Sequence, residues 1–141
     1  MEGDDTDGHV DDLTRFVALG VVTTVVEPDT KDVNHAPLAE NLERLRHAKD
    51  ARGQALKVIE MPMPPRADGP HHRNPASHAN FYIGNAAVLV PVFHSPTDKT
   101  VLDQLRPYFP DRKVVGIDCR ALVGGLGAIH CITQQMPAIQ N

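Results

Sequence analysis

The sequence predicts an α/β fold built from a repeated strand-strand-helix-strand unit. Three observations carry this. Runs such as Val21 to Val26 and Lys113 to Asp118 are β-branched and read as strands. Leucine and valine recur at helical spacing between such runs. The same order of signals then occurs twice along 141 residues.

Each element has a local reason. Thr14 to Ala18 reads as a short strand and Val21 to Val26 as a longer, buried one, broken by Pro28-Asp29. Pro37 to Lys49 is helical, because Leu38, Leu42 and Leu45 fall at i, i+4 and i+7 while the charged residues fall mostly elsewhere. Gly53 ends that segment, and Leu56 to Met61 is a third strand. Pro62 to Ser77 carries four prolines before Pro75, and Gly69 besides, so it cannot be regular. Phe81 to Gly84 and Ala87 to Phe93 are the next two strands. Ser95-Pro96-Thr97-Asp98 starts a helix, with Ser95 as N-cap, Pro96 at the first helical position and an acid three residues after the cap. Val101, Leu102 and Leu105 give its buried stripe, Pro107 ends it, and Lys113 to Asp118 closes the series.

The two units align Phe16 with Phe81 and Lys57 with Lys113. The expected organisation is one domain over 1–141, with module one at about 9–61, a Pro-rich loop at 62–79, module two at about 80–120 and a closing segment at 121–141. Units that bury one face each tend to stack. Two of them leave sheet edges uncovered, which points to self-association or to a larger assembly.

Composition narrows the function classes. Apolar residues make up 41% of the chain, aromatics only 4%, and there is no Trp. The core must come from Val, Leu, Ile and Ala. The net charge is −4 and the basic residues form no stripe, which argues against nucleic acid as a partner. No apolar run approaches the ~20 residues that span a bilayer, and no signal peptide opens the chain, so no membrane partner is expected. Cys119 and Cys131 have neither CxxC spacing nor a secreted disulfide pattern, which favours a reducing, cytoplasmic setting.

The chemistry-bearing residues lie at the two ends. Asp4, Asp5, Asp7, Asp11 and Asp12 make the first twelve residues acidic. They read either as a solvated tail or, if the stretch is extended, as a segment that points His9 and Asp11 to one side. Asp5-Thr6-Asp7-Gly8 is not a calcium loop, since Gly3 and Thr14 stand where the EF-hand spacing needs acids. His71, His72 and His78 sit in the Pro-rich loop without a Cys/His pair and read as solvated, so no metal is expected. Cys131 follows Gly124, Gly125 and Gly127, and glycine beside a nucleophile permits close approach of a substrate. The alternative is a structural Cys in an apolar strand. Neighbours in a strand face opposite ways, so His130 is expected to point away from Cys131, leaving His9 as its partner. Cys119 has no assigned role.

Four segments in order resemble the C-terminal half of the agmatine deiminases, in the superfamily that also holds the peptidylarginine and arginine deiminases. They are Gly8-His9-Val10-Asp11, Asn80-Phe81-Tyr82-Ile83, Phe109-Pro110-Asp111-Arg112 running on through Asp118, and Ile129-His130-Cys131-Ile132-Thr133-Gln134-Gln135. The resemblance implies a five-bladed α/β propeller (pentein), of which this chain would form about two modules plus the closing Cys131 segment. It implies a cysteine-dependent hydrolase acting on a small cationic guanidinium substrate, with agmatine giving N-carbamoylputrescine and ammonia, a step of putrescine biosynthesis. Cys131 would be the nucleophile and His9 the general acid/base. Asp11 would grip the guanidinium, with Asp5 and Gly127 also at the substrate, and no cofactor is called for. Two departures stand out. The family's enzymes are more than twice this long and carry a second guanidinium-binding carboxylate in an N-terminal module. Leu126-Gly127-Ala128 also fills the place of the Gly-Gly-Asn of the agmatine-specific enzymes. The alternative expectation is therefore an inactive half-propeller, a binding or structural module, or one that needs a complementing N-terminal half.

Overall fold

A computed structural model describes residues 1–5 and 8–136. Two strand-strand-helix-strand units follow one another. The first is β1 (Thr14–Ala18), β2 (Val21–Val26), α1 (His35–His47) and β3 (Lys57–Pro62). The second is β4 (Tyr82–Ile83), β5 (Ala87–Val92), α2 (Thr97–Leu105) and β6 (Lys113–Asp118). Each unit makes a three-stranded sheet with the second strand in the centre. The first pair is an antiparallel hairpin and the outer pair is parallel, joined through the helix. The repeat is thus one of topology as well as of sequence order.

The strand registers fix the repeat alignment. Val21 pairs with Lys57 and Ala87 with Lys113, so Lys57 and Lys113 are equivalent. Phe16 pairs with Val22 and Ile83 with Val88. Phe16 therefore matches Ile83, an offset of 67 (83 − 16), and not Phe81. The two phenylalanines also differ in burial: Phe81 is fully buried and Phe16 is 61% exposed. The local pattern misleads here because β4 is only two residues long and Phe81 lies just before it. Pro91 sits in the central strand β5 with no N–H to donate, and the antiparallel ladder stops short of it, at Tyr82–Leu89.

β2 is buried along its middle because both faces are covered. Its Thr23 and Thr24 hydroxyls are satisfied by the carbonyls of Ile59 and Leu13. Asn41 of α1 donates to the hydroxyls of Thr14 and Thr24 and docks the helix on the hairpin. In α2 the N-cap is Pro96, one position later than expected, and the box is not reciprocal: Ser95 N–H and hydroxyl both donate to the Asp98 carboxylate, while Asp98 N–H goes to the Ser95 backbone carbonyl. One apolar cluster joins both units, with Val17 and Val25 from the first packed with Phe81, Val88, Val101 and Leu105 from the second. A smaller one unites Cys119, Ala128 and Ile129 with Tyr82, Leu89 and Phe93. It seats the closing segment on the second sheet.

The Pro-rich loop is irregular, as expected, but only part of it is solvated. His71 and His72 are exposed, whereas His78 is fully buried. Its Nδ1–H donates to the Pro91 carbonyl at 2.8 Å and its Nε2 accepts from the Thr97 hydroxyl at 3.0 Å. Burial holds it below the ordinary histidine range, in the neutral form. The carbonyl of Pro91 on the sheet's central strand is what draws the ring inward.

Candidate active site

The two ends of the chain meet at a cavity of about 700 Å³ lined by Gly8, His9, Val10, Asp11, Gly125, Leu126, Gly127, His130, Cys131 and Thr133. The approach to Cys131 is not a strand. Leu122–Gly125 is a short 3-10 turn, Leu126 takes the left-handed conformation at φ 68°, and His130–Ile132 is a second 3-10 turn. A tight turn does not alternate its side chains between two faces. His130 and Cys131 therefore line the same cavity, and the expectation that His130 points away is corrected. Cys131 is exposed rather than buried in an apolar strand.

Asp11 is the meeting point. Its Oδ2 lies 2.6 Å from His130 Nδ1, 3.0 Å from Asn80 Nδ2 and 3.4 Å from Cys131 Sγ. Burial works against its ionisation, yet the hydrogen bonds from His130 and Cys131 and the His130 charge outweigh that. The carboxyl is held below the usual carboxylate range. Cys131 moves the other way. Burial pushes the thiol up, the Asn80 amide lowers it, and the hydrogen bond to Asp11 and its charge raise it again. These contacts favour a thiol that donates to Asp11 over a thiolate.

Asn80 is fully buried and holds the geometry. Its side-chain Oδ1 accepts from the backbone N–H groups of Ala128, His130 and Cys131 at 3.1, 2.9 and 3.3 Å. Its Nδ2 donates to Asp11 and, at 3.1 Å, to Cys131 Sγ. Gly127 is required by space, because a Cβ there would stand 2.6 Å from Cys131 Sγ. Arg15 lies behind the site. Its guanidinium donates to the carbonyls of Phe81 and Ala79 at 2.8 and 3.4 Å and covers the Phe81 ring at 4.9 Å.

Of the residues expected at the site, His9, Asp11, Gly127 and Cys131 line one cavity. Asp5 does not. It lines a smaller recess with Gly3, Asp4, His72 and Leu126, so that only Leu126 is shared. The cause is the docking of the N-terminal residues on the Pro-rich loop: the Glu2 carboxylate pairs with Arg66 and Arg73, and Asp4 N–H closes a turn on the Met1 carbonyl. Asp7 lies outside the described residues. Asn80, His130, Arg15 and Asp12 emerge only in three dimensions. Asn80 stands in one of the quoted motifs, but nothing local marks its side chain as a hub. Cys119 has a structural place, buried in the small cluster beneath Ala128 and Ile129.

The sequence profile of the Porphyromonas-type peptidyl-arginine deiminases matches residues 1–137. A Legionella pneumophila protein named "Putative agmatine deiminase" is 38% identical over 136 residues, which is 96% of this chain and 39% of that protein. Among solved structures, a "Putative Arginine Deiminase" from Porphyromonas gingivalis superposes with a TM-score of 0.92 at 40% identity, covering 96% of this chain and 40% of that one. An agmatine deiminase of Enterococcus faecalis superposes with a TM-score of 0.86 at 33% identity, covering 94% and 41%. The chain spans about two fifths of the length of these relatives. No helix among the described residues is long and apolar enough to cross a membrane. With its profile matched over almost its whole length, the chain belongs to the Porphyromonas-type peptidyl-arginine deiminase family.

Proposed function

We propose that this chain carries the cysteine half of a guanidine deiminase site, with agmatine as substrate and N-carbamoylputrescine and ammonia as products. The observation that carries the reading is the 3.4 Å approach of Cys131 Sγ to the Asp11 carboxylate, in a cavity that His9 also lines. Asp11 is the charge partner of the guanidinium, which it holds by charge-assisted hydrogen bonds. Binding the cation draws the carboxylate away from the thiol and favours the thiolate, the thiol proton passing to His9. Cys131 Sγ then adds to the guanidinium carbon, and His9 gives a proton to the departing nitrogen, which leaves as ammonia. His9 next takes a proton from water as the water oxygen attacks the same carbon. The C–S bond breaks, the thiolate returns and the ureido product leaves. In sum one water is consumed and one ammonia released. The two units would be two blades of a five-bladed propeller, with the acidic N-terminal run favouring a cationic substrate. A reducing, cytoplasmic compartment fits a working thiol.

A second reading is favoured by the apolar surface left at Phe16, Leu19, Val115 and Ile117, which are 61, 80, 37 and 39% exposed. In it the chain works only when that surface is covered, by a second copy or by a complementing N-terminal half. One experiment separates the two. Agmatine, arginine and a peptidyl-arginine are incubated with the chain, alone and with a separately expressed N-terminal half, and ureido product and ammonia are followed. Product from agmatine that vanishes with Cys131→Ser supports the first reading, and product only on mixing supports the second. Turnover that survives Cys131→Ser overturns the nucleophile assignment.

A further inference from the structure

Asp12 has no part in the chemistry above, yet it is the most unusual acid in the molecule. It is 1% exposed, and neither carboxyl oxygen completes a hydrogen bond of good geometry among the described residues, although the Asn80 amide stands near enough to favour the charged form. An ionised carboxylate in such a place is costly, and a protonated one much less so. The position is fixed by the backbone. The Asp12 carbonyl accepts from the Ser77 hydroxyl at 2.7 Å, and the Ser77 oxygen accepts from Ala79 N–H at 3.1 Å. Asp12 is therefore held inside while its neighbour Asp11 faces the cavity.

The charges around it decide its state. Asp11 and, from the N-terminal segment, Asp4 oppose its ionisation. The Asn80 amide and the Met1 amino group favour it. On β1, Arg15 is close enough to feel the Asp12 charge, but its guanidinium is committed to the carbonyls of Phe81 and Ala79. From the closing segment, His130 and Cys131 reach Asp11 and not Asp12. Two adjacent acids in a shielded space share one difficulty: the second charge is unfavourable beside the first. A cation seated on Asp11 removes that difficulty.

We propose that Asp12 is a neutral acid in the empty site that gives its proton to solvent when a guanidinium cation settles against Asp11. The balance is simple: a neutral carboxyl and a cation from solution become a carboxylate beside a cation, and one proton leaves. Asp12 is a positioning residue, acting on the substrate through the charge behind Asp11. The inference rests on the guanidinium reading of the Asp11 cavity and adds a proton to its binding step. Burial first, and then the Asp11 and Asp4 charges, raise the Asp12 carboxyl to about 7, so the exchange falls near neutral pH.

The test is calorimetric titration of agmatine into the full chain carrying Cys131→Ser, in buffers of different ionisation enthalpy. At pH 7 about half a proton should be released per agmatine bound, and at pH 9 close to none, because Asp12 is then already ionised. The added substitution Asp12→Asn should remove the release and leave the fold intact. If the amide does not fold, Asp12→Leu makes the same comparison. Binding without proton release, or release that persists in the Asp12 variant, overturns this proposal and leaves the guanidinium reading standing. No binding of agmatine, either to the chain alone or to the chain mixed with a separately expressed N-terminal half, overturns both.

Discussion

His130 Nδ1 lies 2.6 Å from Asp11 Oδ2, and the same oxygen receives Asn80 Nδ2 at 3.0 Å and the Cys131 thiol at 3.4 Å. One carboxylate oxygen near the start of the chain thus gathers groups from its middle and its end. Whatever moves His130 moves the charge that a cationic substrate would meet.

Replacing His130 by Phe keeps a ring of similar volume and removes the donor. Asp11 is held low against its burial by this hydrogen bond and by the imidazole charge, so their loss lets the carboxyl protonate at higher pH. The acid limb of the kcat/KM profile should move to higher pH. KM for agmatine should rise roughly tenfold along that acid limb, the scale of one hydrogen bond to a charged group. An unmoved acid limb would show that His130 does not set the Asp11 charge.

Gly127→Ala tests the sulfur's position without touching any charge. The added methyl would stand 2.6 Å from Cys131 Sγ and 2.8 Å from its Cβ, and Gly127 is not in the left-handed region, so the conflict is with Cys131 alone. Displacing a nucleophile by about 1 Å costs on the order of a hundredfold in kcat. The melting temperature should change little. A variant that turns over agmatine at the parent rate would place the reacting sulfur elsewhere.

The two thiols should separate cleanly under alkylation. Cys119 is fully buried, whereas Cys131 opens on the cavity. Iodoacetamide followed by peptide mass mapping should label Cys131 alone in the folded chain. Burial and Asp11 raise its pKa, so labelling should accelerate as pH rises above the ordinary thiol range. Saturating agmatine should shield it.

Stability should carry the mark of Asp12. Its folded carboxyl sits near 7, against 3.8 for the ordinary group. The folded state therefore holds this proton more tightly than the unfolded chain does. Stability contributed by the neutral form is present at low pH and is lost as pH rises from about 4 through about 7. Asp12→Asn should remove that loss and stabilise the chain at pH 8 by up to about 4 kcal/mol, from three units at 1.36 kcal/mol each. Urea midpoints of both proteins at pH 5 and pH 8 would check it. Equal midpoints at pH 8 would mean that water or a partner reaches the buried carboxyl.

Local pattern carried the sequence reading a long way. The leucine spacing gave α1 to within two residues, and β6 runs over Lys113–Asp118 as read, because both signals are properties of one segment. His9, Asp11, Gly127 and Cys131 were legible from residue type and from resemblance. What was not legible depends on distant partners. His78 is buried because Pro91 offers it a carbonyl, and the Phe16–Phe81 alignment slips because β4 is cut short at two residues. His130 faces the cavity because the chain makes a tight turn where the apolar run around Cys131 reads as a strand. Asn80 looks like any loop amide until five of its contacts are seen together.

The span between Asp11 and Cys131 also sets an order of events. Their contact closes a loop of 120 residues, and such a closure costs conformational entropy that only the packing of both sheets can offset. Helices and hairpins can form before it, but the thiol meets its carboxylate only once the segments between them have docked. The separation of these two side chains therefore ties the chemistry of the cavity to the packing of both units: a change that loosens either sheet also loosens the thiol from its carboxylate.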